Sequence, residues 1–197
     1  MNDYVSKIDN SEMILVGIGE EFEENEKSLD AYNNLADKLQ GKNYFIVSLC
    51  MDDVIYSSKL DASRIVSPLG GYSKKQCIDA CTNDLYDVEK TTCPLCGKEL
   101  IYNNILAENY VEEGYLPQWQ KHKKWLTGTL NKRLLLIELG VSLRFPQIVR
   151  FPFERTTMLN EKSEMLRVNK LIPQINSEIS SRATSIRQSA VEWLTLL

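Results

Sequence analysis

Met13-Ile14-Leu15-Val16-Gly17-Ile18-Gly19 is an apolar run that stops on two glycines. That is the pattern of a short strand buried on both faces, followed by a tight turn. The pattern recurs along the chain. Tyr44-Phe45-Ile46-Val47-Ser48 reads as a second buried strand, and Arg64-Ile65-Val66 as a short third. Leu134-Leu135-Leu136-Ile137-Glu138-Leu139 is the most apolar run and ends at Gly140, and Met165-Leu166-Arg167-Val168 is the last strand expected. Helical spacing fills the intervals. Leu29, Tyr32, Leu35 and Leu39 predict a helix over about 23–40 that stops at Gly41, and Leu116, Trp119, Lys123, Leu126 and Leu130 predict another. Ile186, Ala190, Trp193 and Leu197 predict a terminal helix over about 176–195. Two-sided apolar strands alternating with helices imply an α/β fold, a parallel sheet with helices on both faces.

Residues 67–100 break this rhythm with Gly70-Gly71, four cysteines, Pro94 and Gly97. The expected organisation is one α/β domain over 1–66 and 101–197 with an insert at 67–100. A chain of 197 residues has room for that and not for two full domains. Hydrophobic residues at 43% and charged residues at 25% are a globular composition. With 23 Lys+Arg against 27 Asp+Glu the net charge is −4, so no nucleic-acid partner is expected, because neutralising many phosphates takes a basic surface. No membrane association is expected either: no apolar run approaches the roughly 20 residues a span requires. Met1-Asn2-Asp3-Tyr4 has neither the basic nor the apolar character of a signal peptide, so the expected location is cytoplasmic.

Cys77-x3-Cys81-x11-Cys93-Pro94-Leu95-Cys96-Gly97 carries the most specific chemistry in the chain. Two close cysteine pairs supply four thiolates able to close a tetrahedron around Zn²⁺. The Cys93–Gly97 segment reads as a zinc knuckle, and a closed four-sulfur shell leaves no place for water, so the metal would be structural. It would hold together a zinc-ribbon insert too small for a core of its own.

The turns at Gly17-Ile18-Gly19 and Gly140-Val141-Ser142-Leu143 are expected at the carboxyl edge of the sheet, where open α/β folds bind ligands. Gly-x-Gly lets a backbone approach a pyrophosphate. Glu20-Glu21-Phe22-Glu23-Glu24 follows at once, and its carboxylates would repel a phosphate unless they face solvent. The plainer reading is an acidic helix start. Asp52 and Asp53, after the second strand, could orient a ribose hydroxyl or cap a helix. Cys50 reads as a buried inert thiol, and Trp119, Trp125 and Trp193 as packing.

Taken in order, these pieces resemble the sirtuins, NAD-dependent protein deacylases with a Rossmann-like domain and a small zinc module. Gly17-Ile18-Gly19 resembles the family's Gly-Ala-Gly turn, and Ser48-Leu49-Cys50-Met51-Asp52 stands where it has Thr-Gln-Asn-Ile/Val-Asp. Pro68-Leu69-Gly70-Gly71 stands near its His-Gly-Ser segment, and Cys77, Cys81, Cys93 and Cys96 match its zinc ligands. Gly140-Val141-Ser142-Leu143, with Pro146 after it, resembles Gly-Thr-Ser-Leu, and Arg167-Val168-Asn169 resembles an Ile-Asn pair near the adenosine half of the nucleotide. The resemblance implies NAD as cofactor, held by Gly17, Gly19, Ser48, Cys50, Asp52, Gly140, Ser142, Leu143 and Asn169, with Asp52 as the catalytic residue and a protein as substrate or partner.

The departures fall on the chemistry. Counted from Asp52, the family's catalytic histidine falls at Ile55, while the one histidine of the chain, His122, lies outside the matched motifs. The family's Asn near the nicotinamide becomes Cys50, and the serine of its first glycine turn becomes Glu21. A general base contributes about 10²–10⁴-fold, so its loss suppresses deacylation without excluding nicotinamide cleavage. A macrodomain-linked branch of the family also lacks the usual histidine and transfers ADP-ribose to protein. ADP-ribosyl transfer is therefore favoured over lysine deacetylation. The alternative is a catalytically silent module that binds NAD, ADP-ribose or a protein partner.

Overall fold

The computed structural model describes residues 2–23 and 25–196. Six strands form one parallel sheet: β1 (Met13–Ile18), β2 (Asn43–Ser48), β3 (Ile65–Val66), β7 (Leu134–Leu139), β8 (Glu164–Val168) and β9 (Ala183–Ile186). Their order is β3-β2-β1-β7-β8-β9, so β1 has β2 on one side and β7 on the other, and the strand order reverses there. The reversal leaves a crevice at the carboxyl ends of β1 and β7. Three further strands, β4 (Gly70–Cys77), β5 (Tyr86–Asp87) and β6 (Leu100–Asn104), make a separate antiparallel sheet in the order β5-β4-β6.

Alternation along the strands builds two cores. Ile14, Val16 and Ile18 of β1, with Leu135, Ile137 and Leu139 of β7, face α2 (Ser28–Leu39) and α5 (Ala190–Leu196). Met13, Leu15, Leu134 and Leu136 face the opposite way, toward Phe153 of α4 (Arg150–Leu159) and the half-buried Trp119, Trp125 and Leu126 of α3 (Leu116–Thr127). Helix α1 (Asn2–Asn10) places Ile8 at the first core. Trp193, read as packing, is 6% exposed and meets Tyr4 edge-on. Gly17 lies inside β1, and a methyl group there would stand 2.3 Å from Val149 Cγ1 and 2.9 Å from Phe153 Cζ. Its missing side chain is what lets α4 sit close to the sheet.

Three expectations change. The terminal helix over 176–195 is instead a 3₁₀ turn at Ser177–Ile179, strand β9 and the short α5. Met165 through Val168 pair with Ala183 through Ile186, so β9 closes the edge of the sheet, and Leu197 lies outside the described residues. The helix expected over 23–40 begins only at Ser28, and a 3₁₀ turn at Glu20–Phe22 comes before it. Helix α4 lies between Gly140 and Met165, a stretch holding Pro146 and Pro152 for which no helix is expected from spacing. Pro152 is the third residue of α4, in the first turn, where its missing N–H breaks no intrahelical bond.

The buried charge of the molecule is concentrated between β7, β8 and α4. Glu138 and Arg167 are both fully buried and joined by two 2.7 Å bonds, Nε to Oε1 and Nη2 to Oε2. Arg150 reaches Glu138 Oε1 at 3.3 Å, and Arg167 Nη1 reaches Glu154 Oε1 at 2.7 Å. Both guanidiniums also donate to the carbonyl of Gln174, which fastens the loop after β8 to the sheet. Two acids facing two bases leave the cluster neutral.

Candidate active site and metal centre

The turn after β1 and the turn after β7 meet in direct backbone contact. A methyl on Gly19 would stand 2.3 Å from both the Gly140 carbonyl oxygen and Val141 Cα. Gly140 has φ +61, and a methyl there would meet Glu21 Cβ at 2.6 Å. Glycine is thus required at Gly19 by close approach and at Gly140 by the left-handed backbone as well.

The carboxylates of Glu20, Glu21 and Glu23 are half-buried and turned onto backbone donors. Glu20 accepts two bonds from the β7 turn, one from the Ser142 backbone amide at 3.1 Å and one from its hydroxyl at 2.9 Å. Glu21 accepts from the Ala190 amide at 2.9 Å, and Glu23 from the Met51 amide at 2.7 Å. Burial raises the pKa of Glu23 against the pull of that amide, with Asp52 and Glu20 adding repulsion. Glu20 and Glu21 do open a helical turn, the short 3₁₀ turn Glu20–Phe22, but the carboxylates of Glu20, Glu21 and Glu23 also hold donors of three other segments. Their partners lie 122, 169 and 28 residues away in sequence, beyond the reach of any local pattern.

The other residues expected at this edge divide by exposure. Ser48 is fully buried and its hydroxyl accepts from the Cys50 amide. Cys50 is 2% exposed, points its thiol at the Gly19 carbonyl at 3.2 Å and lies 3.7 Å from Tyr32 Oη. Burial pushes that thiol up to about 12, so it is not a thiolate at neutral pH. Asn169 donates to the Val141 carbonyl at 2.9 Å and accepts from the Leu171 and Ile172 amides, tying the β7 and β8 turns together. Leu143 is exposed, and Asp52 is half-buried with its Oδ1 accepting from the Val54 amide at 3.3 Å.

No imidazole faces the edge. Ile55 is 1% exposed within the α2 core, so the position counted from Asp52 does not open to the edge. His122 lies between Phe45 and Trp119, with ring centroids at 5.3 and 5.1 Å, and burial lowers its pKa to about 4.

Beside Asp52, Asp53 adopts φ +57 and accepts from the Ser73 amide at 3.2 Å, while the Tyr72 amide donates to the Met51 carbonyl at 3.2 Å. A methyl on Gly71 would lie 2.8 Å from the Asp53 carboxylate. These contacts join the loop after β2 to strand β4. Asp53 also lines a cavity of about 480 Å³ between β3, α3 and the antiparallel sheet, with Tyr56, Ser67, Lys74, Asn103 and Tyr115.

The four clustered cysteines converge at the far end of β4. Cys77 Sγ lies 3.5 Å from Cys96 Sγ, and Cys81 Sγ lies 3.6 Å from Cys93 and 3.4 Å from Cys96. All four are free thiols, far beyond the roughly 2 Å of a disulfide. Four sulfurs about 2.3 Å from a central ion would be about 3.8 Å apart, so this set could hold a tetrahedral metal ion. The Cys96 amide, with that of Leu95, outweighs burial and brings the Cys93 thiol down to about 6. The Cys81 amide likewise lowers the pKa of the Cys77 thiol. Gly97, at φ +73, makes the knuckle turn and returns its amide to the Cys93 carbonyl.

No family model matches the chain. A protein ADP-ribosyltransferase of Staphylococcus aureus (strain Mu50 / ATCC 700699) is 24% identical over 186 residues, which is 84% of this chain and 59% of the relative. The chain therefore spans little more than half the length of that protein. Among solved structures, a Sir2 homologue mutant complexed with 2′-O-acetyl ADP-ribose aligns over 100% of this chain and 94% of its own, with a TM-score of 0.65 and 10% identity. A Sir2 homologue mutant complexed with ADP-ribose aligns over the same shares with a TM-score of 0.62 and 12% identity. The six-stranded order, the separate antiparallel sheet and these alignments agree: the chain has the Sir2 fold and is a divergent, sirtuin-like protein in its architecture.

Proposed function

We propose that this chain is the nucleotide-handling unit of an NAD-dependent enzyme that transfers ADP-ribose to a protein acceptor, in preference to deacetylating lysine. The observation that carries this reading is the Ser142 turn. Its amide and hydroxyl already converge on one anion, the Glu20 carboxylate, beside the Gly19 backbone at the strand-order reversal. Two donors so placed suit a diphosphate oxygen. The name of the staphylococcal relative supports ADP-ribosyl transfer, as does the absence of an imidazole at the edge.

In this reading Gly19, Gly140 and Ser142 hold the phosphates, Leu143 borders them, and Asp52 orients a hydroxyl of the nicotinamide ribose. Gly17, Ser48, Cys50 and Asn169 act one layer back, by setting the shape of the turns. Bound NAD supplies a nicotinamide leaving group, whose departure exposes the ribose C1′ to an acceptor nucleophile. The cavity beside Asp53 is the opening through which an acceptor side chain would reach that edge. Zinc is the metal that suits four thiolates in a closed shell, and its role is structural. A reducing, cytoplasmic setting keeps those thiols free for it.

The occupied Ser142 donors also favour a second reading, a silent module that binds NAD or ADP-ribose without turnover. Nicotinamide release from NAD, measured beside an Asp52→Ala control, separates the two. Release that the control abolishes supports the transferase. A rise in melting temperature with NAD but no release supports the silent module, and no response at millimolar NAD removes both.

A further inference from the structure

Glu20 makes the contacts to Ser142 that an incoming phosphate would need. It takes the backbone amide through Oε2 and the hydroxyl through Oε1, both at hydrogen-bond length, from a position 122 residues away in sequence. The segment that carries it is anchored. Phe22 is fully buried and stacked on Tyr32 at 5.3 Å, and its carbonyl accepts from the Ser28 hydroxyl at 2.7 Å. Glu21 and Glu23 hold the Ala190 and Met51 amides on either side. The backbone of the turn is thus fixed, while the half-buried Glu20 side chain can leave Ser142 by rotating about its own bonds.

We propose that Glu20 is an autoinhibitory latch, an intramolecular anion that occupies the Ser142 donors and must swing out before a nucleotide diphosphate can bind. This rests on the reading of the edge as a nucleotide site. An anion held on the same chain is always present at high local concentration, so it competes with a free ligand without being consumed. A binding-competent state populated at about 1–10% weakens the apparent affinity by the same fraction, which sets the expected gain on unlatching at about ten- to a hundredfold. The latch also leaves no donor of Ser142 unsatisfied while the ligand is away.

The test is calorimetric titration of ADP-ribose, and separately of inorganic pyrophosphate, into the wild-type chain, E20A, E20Q and E26Q. Glu26 is exposed on the same acidic segment and serves as a control for removal of charge alone. Equal zinc content and circular dichroism establish that the variants are folded. The expected result is a Kd for ADP-ribose at least tenfold lower in E20A, a smaller gain in E20Q, which keeps an acceptor, and a change within twofold in E26Q. ADP-ribose binding that is equally strong in wild type and E20A overturns the latch and leaves the nucleotide reading standing. Gains of the same size in E20A and E26Q also overturn it, since bulk charge would then explain both. If E20A gains affinity for pyrophosphate but no form binds ADP-ribose, the latch stands and the nucleotide reading falls. If no form binds either probe, both fall.

Discussion

Gly19 and Gly140 touch through their backbones, with 2.3 Å left between a Gly140 carbonyl oxygen and the place a Gly19 side chain would begin. Nothing flexible stands in that gap, so a methyl group must push the β1 and β7 turns apart. Gly19→Ala is expected to cost about 1–3 kcal/mol, the range for overpacking a tight site. Gly41 has open space around it and φ +74, so Gly41→Asn, which tolerates that backbone, should be nearly neutral. Urea denaturation of both variants measures the difference, and equal midpoints would show that the two turns are not in contact.

The pH dependence of stability should carry a signature of His122. Both ring nitrogens are buried without a hydrogen-bond partner, and burial holds the folded pKa near 4 against 6.5 for an unperturbed imidazole. Between those values the unfolded chain binds the extra proton and the folded chain does not. Stability from this group is therefore complete above about pH 6.5 and is lost as pH falls toward 4, by at most about 3 kcal/mol. His122→Phe should flatten the slope of melting temperature against pH over that window. An unchanged slope would mean that the imidazole is solvated.

The buried charge cluster predicts a non-additive pair. Glu138→Leu leaves Arg167 and Arg150 facing each other without their shared carboxylate and is expected to cost about 3–5 kcal/mol. Adding Arg167→Met should recover a large part of that loss, because one buried charge fewer remains unpaired. Chemical denaturation of the two single variants and the double variant completes the cycle. Purely additive losses would show that the charges do not interact.

Metal content is checked directly. Purification without chelator should yield one zinc per chain by elemental analysis, and Cys93→Ser should release it. Removal of the ion should unfold β4, β5 and β6 first, since Cys77, Tyr86, Cys93 and Leu100 are the only buried cluster found for this sheet among the described residues. Hydrogen exchange at 70–104 reads that loss. Full protection after chelation would mean that the small cluster suffices without metal.

The strands nearest the site were the most legible part of the sequence. Met13–Ile18, Asn43–Ser48 and Leu134–Leu139 are buried on both faces except at Asn43, so apart from that residue and the ion-paired Glu138 they are apolar or small, and a glycine or serine lies at or next to each end. Strand β9 escaped because it is an edge strand of half-buried Ala183, Thr184 and Ile186 with an exposed Ser185, and its single partner is β8. Its Ile186 falls by coincidence at helical spacing from Ala190 and Trp193. The cysteine cluster was legible because its ligands are close in sequence. The targets of Glu20 and Glu21 were not, since side-chain hydrogen bonds to distant amides leave no periodic trace. Nor was the core position of Ile55, which a count from Asp52 along the chain could not distinguish from a position open to the cleft.

The short tie between Asp53 and Ser73, with the Tyr72 amide on the Met51 carbonyl, gives the cysteine module a reach beyond its own fold. Asp52 lies between the two loop residues that make this tie, and β4 runs from Gly70, through a register shift before Lys75, to the first metal-ligand candidate, Cys77. The strand is a lever with the cysteines at one end and the Asp52 loop at the other. Order at the cysteine end is therefore coupled to the Asp52 loop through backbone contacts, although no cysteine of the cluster lies on that loop.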